Sequence, residues 1–211
     1  MSDLLALAEQ LCAIPSVSGS ERVLADTVEA WLREHAPALT IDRARENVVA
    51  RTDLGAPTRV VLGGHLDTVA AAGNETPRRD GDVLHGLGTA DMKGGLAVLL
   101  TLAARVVSHP PARDVTFVFY EGEEVADEHN GLRYLFEARP ELVAGDVAVL
   151  LEPTGGWVEA GCQGTIHVRA TFHGRRAHSA RPWTGVNAVH KAVPLLERLA
   201  RIGTVDVDVD G

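Results

Sequence analysis

The sequence predicts an α/β fold with a mostly parallel sheet and helices on its faces. Runs rich in β-branched and aromatic residues alternate along the chain with segments of helical periodicity. Several of these runs end abruptly in Gly, Pro or Thr, as strands do where they leave a sheet. Strands that alternate with helices usually pair in parallel, because the helix returns the chain across the face of the sheet. With 211 residues, 45% of them hydrophobic, the chain is long enough for one domain and part of a second.

The N-terminal part is predicted to hold two helices and then three strands. The first helix is indicated by apolar residues at helical spacing: Leu4, Leu5, Leu7, Ala8 and Leu11. Pro15 stops this helix, and Ser18–Glu21 opens a second one that ends near His35. The three predicted strands lie at 40–43, 47–51 and 59–62.

The middle of the chain continues the alternation. Helices are predicted at 96–107 and 132–138, and strands at 114–120 and 146–151. The pattern changes after Gly161. It becomes an alternating strand at 164–172, a turn-rich basic segment at 174–182, an amphipathic helix at 186–202 and a strand that starts at Thr204. We therefore expect a first domain at 1–163 and an incomplete second domain at 164–211, so that the sequence is a fragment.

Composition argues against several classes of protein. The formal charge of −9 argues against a nucleic-acid-binding surface. The apolar runs are far shorter than the roughly 20 residues of a membrane-spanning helix, and Met1–Asp3 does not resemble a signal peptide. Cys12 and Cys162 are too few for a disulfide scaffold. We expect a cytoplasmic protein that binds neither nucleic acid nor membranes.

Side chains suited to binding a metal or orienting its ligands follow the ends of predicted strands or lie in glycine-rich turns. They are His65, Asp67, Asp91, Glu123, Glu124 and Glu152. Ligands gather at the carboxyl ends of the strands in an open α/β sheet, so these residues are expected to converge on one site. A mixture of imidazole and carboxylate suits zinc or a related divalent ion.

Each of these residues also has an ordinary structural interpretation. His65 alone could be a loop residue, Asp91 could cap the next helix, and Glu152 could be a surface acid in a turn. An acidic pair such as Glu123–Glu124 usually lies on a solvated surface. Asp67 favours the metal site, because a carboxylate two residues after the histidine can accept the second imidazole N–H. Adjacent side chains at a strand end diverge, so one glutamate of the pair can bind metal while the other reaches a water molecule.

Four motifs carry a family resemblance: His65–Val69, Gly88–Gly94, Glu123–Glu124 and Glu152–Thr154. In this order and spacing they resemble the di-zinc amidohydrolases, a family that includes aminoacylases, acetylornithine deacetylases and glutamate carboxypeptidases. The resemblance implies a three-layer, zinc-peptidase-like catalytic domain with a mostly parallel sheet. It also implies that the second domain is an α+β lid through which the family forms homodimers.

The resemblance implies two zinc ions, with cobalt as an alternative in one site. By position, the residues that match the family's metal ligands are His65 and Glu152 for one ion, Asp91 as the bridge, and Glu124 for the other ion. Glu123 matches the general base, and the family suggests a cis peptide after Asp91. His178 matches a lid histidine that reaches into the partner subunit's site, although its segment could also be only a basic loop.

Two departures from the family pattern matter. The family's last metal ligand is a histidine near the C-terminus of a longer chain, and no residue after Glu152 matches it. The second metal site is therefore expected to be incomplete and the chain inactive by itself. Cys162–Gln163 stand where some members carry two arginines. The candidates for binding substrate carboxylates are then Arg175, Arg176 and Arg181.

The segments 120–124, 152–156, 161–165 and 173–181 look most like the branch of the family that acts on N-succinyl-LL-2,6-diaminopimelate. We therefore expect hydrolysis of this N-acyl amino acid to succinate and LL-diaminopimelate, a step toward lysine and peptidoglycan. One alternative is a sister deacetylase or carboxypeptidase, such as one that acts on acetylornithine, since it would share every metal residue. The other is a non-catalytic metal-binding fragment.

Overall fold

The central sheet of the first unit has five strands, and α-helices lie between the last three of them in chain order. The computed structural model describes residues 3–161 and 166–205. The chain divides into two units, Met1–Glu159 and Ala160–Gly211. The assignment of 1–163 to a catalytic domain and of 164–211 to a lid stays a prediction.

The five-stranded sheet is mixed. The strands within the described residues are β1 Thr40–Ala44, β2 Asn47–Arg51, β3 Arg59–His65, β4 Arg78–Asp80, β5 Val83–His85, β6 Asp114–Tyr120 and β7 Val147–Leu150. The order in the large sheet is β1-β2-β6-β3-β7. β3 pairs in parallel with both β6 and β7, whereas β1 and β2 pair antiparallel with each other and β2 pairs antiparallel with β6. β4 and β5 form a separate hairpin that the sequence pattern did not indicate, because each has only three residues.

Helices cover both faces of this sheet. The helices are α1 Leu4–Cys12, α2 Arg22–His35, α3 Gly94–Ser108, α4 Gly131–Ala138, α5 Pro140–Val143 and, in the second unit, α6 Ala188–Ala200. Phe117 packs in the core that α1, α2 and α3 share, and its neighbour Val118 packs with residues of α4 and α5. Successive strand residues point to opposite faces, so both faces of β6 are buried. The predicted three-layer α/β fold is confirmed. Among the described residues, no helix has the length and apolarity needed to cross a membrane.

The strand β3 is longer than its apolar pattern predicts. Residues 59–62 were expected to form the strand, but pairing with β6 continues through Gly64 opposite Phe119 and His65 opposite Tyr120. The pairing of β3 with β6 therefore includes Gly63 and Gly64. Hydrophobic periodicity alone does not predict glycines within a strand. As a result His65 is the last residue of a central strand.

The second unit contains the predicted amphipathic helix, with slightly different bounds. Asn187 caps α6, and its side chain accepts hydrogen bonds from the N–H groups of Val189 and His190. The strand predicted at 164–172 is wrong for its described part, because 166–172 contains no strand. A strand needs a neighbour for its backbone hydrogen bonds, and β pairing in the described part of this unit is limited to the bridge between Arg175 and Val186. The strand predicted from Thr204 lies, from residue 206 onward, outside the described residues.

Candidate metal centre

His65 lies at the carboxyl end of β3 and is only 1% exposed. Its Nδ1 lies 3.0 Å from the backbone oxygen of Asp67 and 3.4 Å from that residue's Oδ1. Its Nε2 lies 2.9 Å from Oδ1 of Asp91. Burial disfavours a charged ring, but the hydrogen bonds with the two aspartates outweigh it and raise the pKa of His65 to about 9. One nitrogen of the ring is thus held by Asp67, and the other faces carboxylates.

The buried carboxylate of Asp67 holds the loop that follows β6. It accepts hydrogen bonds from Ser18 Oγ at 2.7 Å, from the Glu123 N–H at 2.9 Å and from the Glu124 N–H at 3.0 Å. Burial alone would raise the pKa of Asp67, but the bond with His65 and these three bonds lower it to about 2. The sequence predicts that this carboxylate orients the imidazole. In the structure the backbone oxygen of Asp67 lies closer to His65 Nδ1 than its carboxylate does. The carboxylate also accepts hydrogen bonds from the loop that holds Glu123 and Glu124.

Asp91 and Glu152 approach the same face of His65 from different elements. Asp91 lies in a distorted helical turn, Thr89–Lys93, and the Asp91–Met92 peptide is cis, as the family resemblance implied. Glu152 follows β7, and its Oε2 lies 4.0 Å from His65 Nε2. The Asp91 side chain is 52% exposed and that of Glu152 is 33% exposed. Both carboxylates are therefore accessible to an ion from solvent.

Two sets of potential ligands share His65. One is His65 with Asp91 and Glu152, and the other is His65 with Glu123 and Glu124; within each set the ligand atoms lie within 4.8 Å of one another. All the predicted metal ligands are thus brought together. Glu123 and Glu124 are both near His65, so this geometry does not distinguish the predicted base from the predicted ligand.

The electrostatics of the cluster favour a cation. Partial burial raises the pKa of Glu124, and the nearby Asp91 raises it further. Burial also raises the pKa of Glu152, against the attraction of His65. A divalent ion would relieve this repulsion between carboxylates. Imidazole nitrogen and carboxylate oxygen are donors that suit zinc and related ions, so the residues fit a metal.

The remaining predicted site residues belong to the second unit. His178 Nδ1 accepts a hydrogen bond from the Ala180 N–H at 3.1 Å. Arg175 and His178 line a cavity of about 220 Å³ within that unit. Arg176 and Arg181 are exposed. Cys162 and Gln163 lie outside the described residues, and the roles assigned to these side chains stay predictions.

Sequence reasoning missed two residues that contact the site and a buried lysine next to one of them. Ser18 donates to Asp67, and Met92 accepts the backbone N–H of His65 at its sulfur, at 3.2 Å. Lys93 is 2% exposed and donates from Nζ to the backbone oxygen of Ile14 at 2.6 Å. Burial lowers the pKa of Lys93 to about 8. Met92 and Lys93 lie inside the Gly88–Gly94 motif, which says nothing about the contact each one makes, and Ser18 lies outside the four motifs.

Comparison with known proteins gives a match over most of the chain. Residues 61–201 match the model of peptidase family M20/M25/M40. A succinyl-diaminopimelate desuccinylase from Corynebacterium glutamicum is 46% identical over 213 aligned residues, which cover 100% of this chain and 58% of that protein. The chain therefore spans somewhat more than half the length of this curated relative.

Solved structures share the fold. A tripeptidase from Staphylococcus aureus superposes with a TM-score of 0.60 and 22% identity, over 92% of this chain and 55% of that one. A dinuclear metal-binding peptidase of family M20 from Bacillus subtilis superposes with a TM-score of 0.50 and 17% identity, over 68% of this chain and 41% of that one. At these identities the likeness concerns the fold.

Proposed function

Because this chain belongs to peptidase family M20/M25/M40, we propose that it carries the metal centre of an amidohydrolase that converts N-succinyl-LL-2,6-diaminopimelate to succinate and LL-diaminopimelate. The observation that carries the proposal is the pair of ligand sets that share His65. The 46% identity with the Corynebacterium desuccinylase along the whole chain supports the substrate. Neither a sister deacetylase or carboxypeptidase nor a non-catalytic metal-binding fragment has comparable support.

The metal assignment takes its ligands from the two sets and their roles from the family resemblance, because Asp91 belongs to the first set alone. His65 and Glu152 would hold one ion, Glu124 the other, and Asp91 would bridge them. We propose zinc, with cobalt as an alternative in one site, because both accept imidazole and carboxylate donors. Two ions are favoured by the two ligand sets and by the dinuclear Bacillus neighbour. When bound, such ions acidify water and polarise the amide carbonyl.

Glu123 is the proposed base. Its backbone is fixed by Asp67, which leaves its carboxylate free to move a proton beside His65. Glu123 would take a proton from the attacking water while the water oxygen bonds to the amide carbon. When the carbon–nitrogen bond breaks, Glu123 would return that proton to the leaving amine. Glu124 follows it in the loop and would bind metal, so the two neighbours would have different tasks.

The second unit would complete the site in a cytoplasmic homodimer. Arg175, Arg176 and Arg181 would bind substrate carboxylates, and His178 would stabilise the developing oxyanion in the partner subunit's site. The dimer is supported by α6, which has no buried residue. Its apolar side chains at Val189 and Leu196 are 71% and 58% exposed. Exposed apolar surface of this kind is typical of a protein interface.

The test is a hydrolysis assay of the full-length protein that carries this chain. Succinate release from N-succinyl-LL-2,6-diaminopimelate is measured as isolated, after removal of metal by a chelator and after return of zinc. We expect activity to be lost and restored. The same samples are assayed with N-acetylornithine and with dipeptides. Hydrolysis of those substrates alone would contradict the proposed substrate, and activity that survives complete metal removal would contradict the metal mechanism.

A further inference from the structure

We propose that Met92 is a positioning residue that fixes the three segments carrying His65, Asp91 and Glu152 relative to one another. Met92 is fully buried, and it is not among the ligand or acid–base residues of the proposed site. The inference rests on the proposed metal site. It concerns how the chain holds the ligand segments before an ion binds.

The first contact is with the end of β3. On the β7 side, the N–H of Leu151 donates to the oxygen of Gly63 at 3.0 Å. In a parallel ladder the next N–H of β3 on this side is that of His65. This N–H donates to the sulfur of Met92 at 3.2 Å. The thioether therefore takes the place of a backbone acceptor at the point where β7 has ended and the metal ligand stands.

The second contact is made possible by two glycines. A Cβ on Gly64 would lie 2.6 Å from Met92 Cε, and a Cβ on Gly95 would lie 2.9 Å from the same atom. Both distances are shorter than a Cβ atom tolerates, so neither position accepts a side chain while Met92 keeps its place. The methyl group of Met92 thus occupies space left by glycines on β3 and on α3, and it joins the strand that carries His65 to the helix after Asp91.

The third contact is made by Gly95, on which Met92 packs, and it reaches the segment of Glu152. A Cβ on Gly95 would also lie 2.6 Å from the backbone oxygen of Leu151. The start of α3 therefore lies directly against the residue before Glu152. Since Met92 packs on Gly95, a change in its volume would shift the helix start relative to both neighbouring strands.

These contacts link the backbone next to every ligand of the first set. Met92 is adjacent to Asp91 in sequence, bonds the backbone of His65, and packs against the glycine that contacts Leu151. Protein interiors are packed too densely to absorb such a change without movement. Loss of the side chain is therefore expected to displace ligand atoms even though none is removed.

The test is cobalt(II) binding to this chain, followed by calorimetry and by the visible absorption of the bound ion. Met92→Ala is expected to weaken binding by at least about tenfold, the lower range for residues that support metal ligands, and to alter the spectrum. Met92→Leu keeps most of the volume but has no acceptor for the His65 N–H. Met92→Leu is expected to melt closer to the wild-type temperature than Met92→Ala does, while its cobalt spectrum stays altered.

Leu100→Ala is the matched control, because Leu100 is equally buried on α3. It is expected to lower the melting temperature while keeping the affinity and spectrum of the wild type. Wild-type affinity and spectrum in both Met92 variants would overturn the inference. A loss of cobalt affinity in Leu100→Ala equal to that in Met92→Ala would also overturn it. If Met92→Ala does not fold, Met92→Leu alone decides: an altered cobalt spectrum supports the inference, and a wild-type spectrum overturns it. Absence of cobalt binding by the wild type would instead contradict the proposed metal site.

Discussion

The carboxylate of Asp67 accepts the backbone N–H of Glu123 at 2.9 Å, across 56 residues of sequence. The next N–H, that of Glu124, donates to the other oxygen of the same carboxylate at 3.0 Å. Because the backbone oxygen of Asp67 also lies 3.0 Å from His65 Nδ1, one residue fixes the imidazole and the glutamate loop together. The relative positions of the proposed metal ligand His65 and the proposed base therefore depend on Asp67.

Asp67→Asn is expected to weaken this arrangement without removing a metal ligand. An amide has one acceptor oxygen, so it cannot accept from both N–H groups through two oxygens. We expect weaker zinc binding and lower turnover. Calorimetry and a hydrolysis assay on the same preparation measure both. Asp127→Asn, at an exposed carboxylate, is the control, and equal effects of the two substitutions would contradict the role assigned to Asp67.

The same substitution is expected to change the acid sensitivity of the metal-free chain. The pKa of Asp67 is lowered to about 2 in the fold, below the unfolded value of about 3.9, which corresponds to about 2–3 kcal/mol of stability. This contribution is present above about pH 4 and is lost as the pH falls through about 2. Urea unfolding should therefore show a difference in the free energy of unfolding between wild type and Asp67→Asn, and this difference should narrow as the solution is acidified. A difference independent of pH would contradict it.

Zinc binding at about pH 7.5 is expected to release a proton from His65. The pKa of His65 in the metal-free fold is raised to about 9, so the ring carries a proton at that pH, whereas a metal ligand must be neutral. Calorimetric titration in two buffers with different ionisation enthalpies measures the protons released. His85→Gln, at an exposed histidine, should leave the number unchanged. Binding without proton release would contradict this prediction.

Glu123→Gln and Glu124→Gln are expected to separate the tasks of these neighbours in the full-length protein. Loss of the base should lower turnover by about 10²–10⁴-fold with zinc content near that of the wild type. Glu124→Gln should lose metal as well as activity. Metal analysis and turnover are measured on the same samples. Substantial turnover in Glu123→Gln would mean that the assignment is wrong.

Substrate choice is expected to depend on the basic segment of the second unit. The full-length protein should prefer N-succinyl-LL-2,6-diaminopimelate to N-acetylornithine by at least about tenfold, or roughly 1.4 kcal/mol. Arg181→Ala should narrow this gap, because the succinyl substrate has more carboxylates to bind. Arg78→Ala, in the hairpin of the first unit, serves as the charge-matched control. An equal or reversed preference in the wild type would favour the sister deacetylases.

Local pattern predicted much of the first unit and less of its site. The alternation of elements was readable because each strand and helix has its own periodicity. The extension of β3 through Gly64 to His65 was not, because pairing with β6 decides it. The strand predicted at 164–172 has the right alternation, but 166–172 has no neighbouring strand among the described residues. In the site, residue type and strand ends indicated the groups that converge on His65, whereas the hydrogen bond that the Glu123 N–H donates to Asp67 depends on the tertiary fold.

The most direct test of the metal centre is zinc titration of this chain and of Asp91→Asn by calorimetry. Asp91 contributes an atom to the ligand set with His65 and Glu152, so its loss is expected to weaken zinc binding by at least about tenfold. Glu137→Gln, on the exposed face of α4, should bind zinc as the wild type does. Zinc binding by the wild type that is weakened only in Asp91→Asn is the predicted result. No binding by the wild type, or equal affinity in all three proteins, would contradict a metal site at the carboxyl ends of these strands.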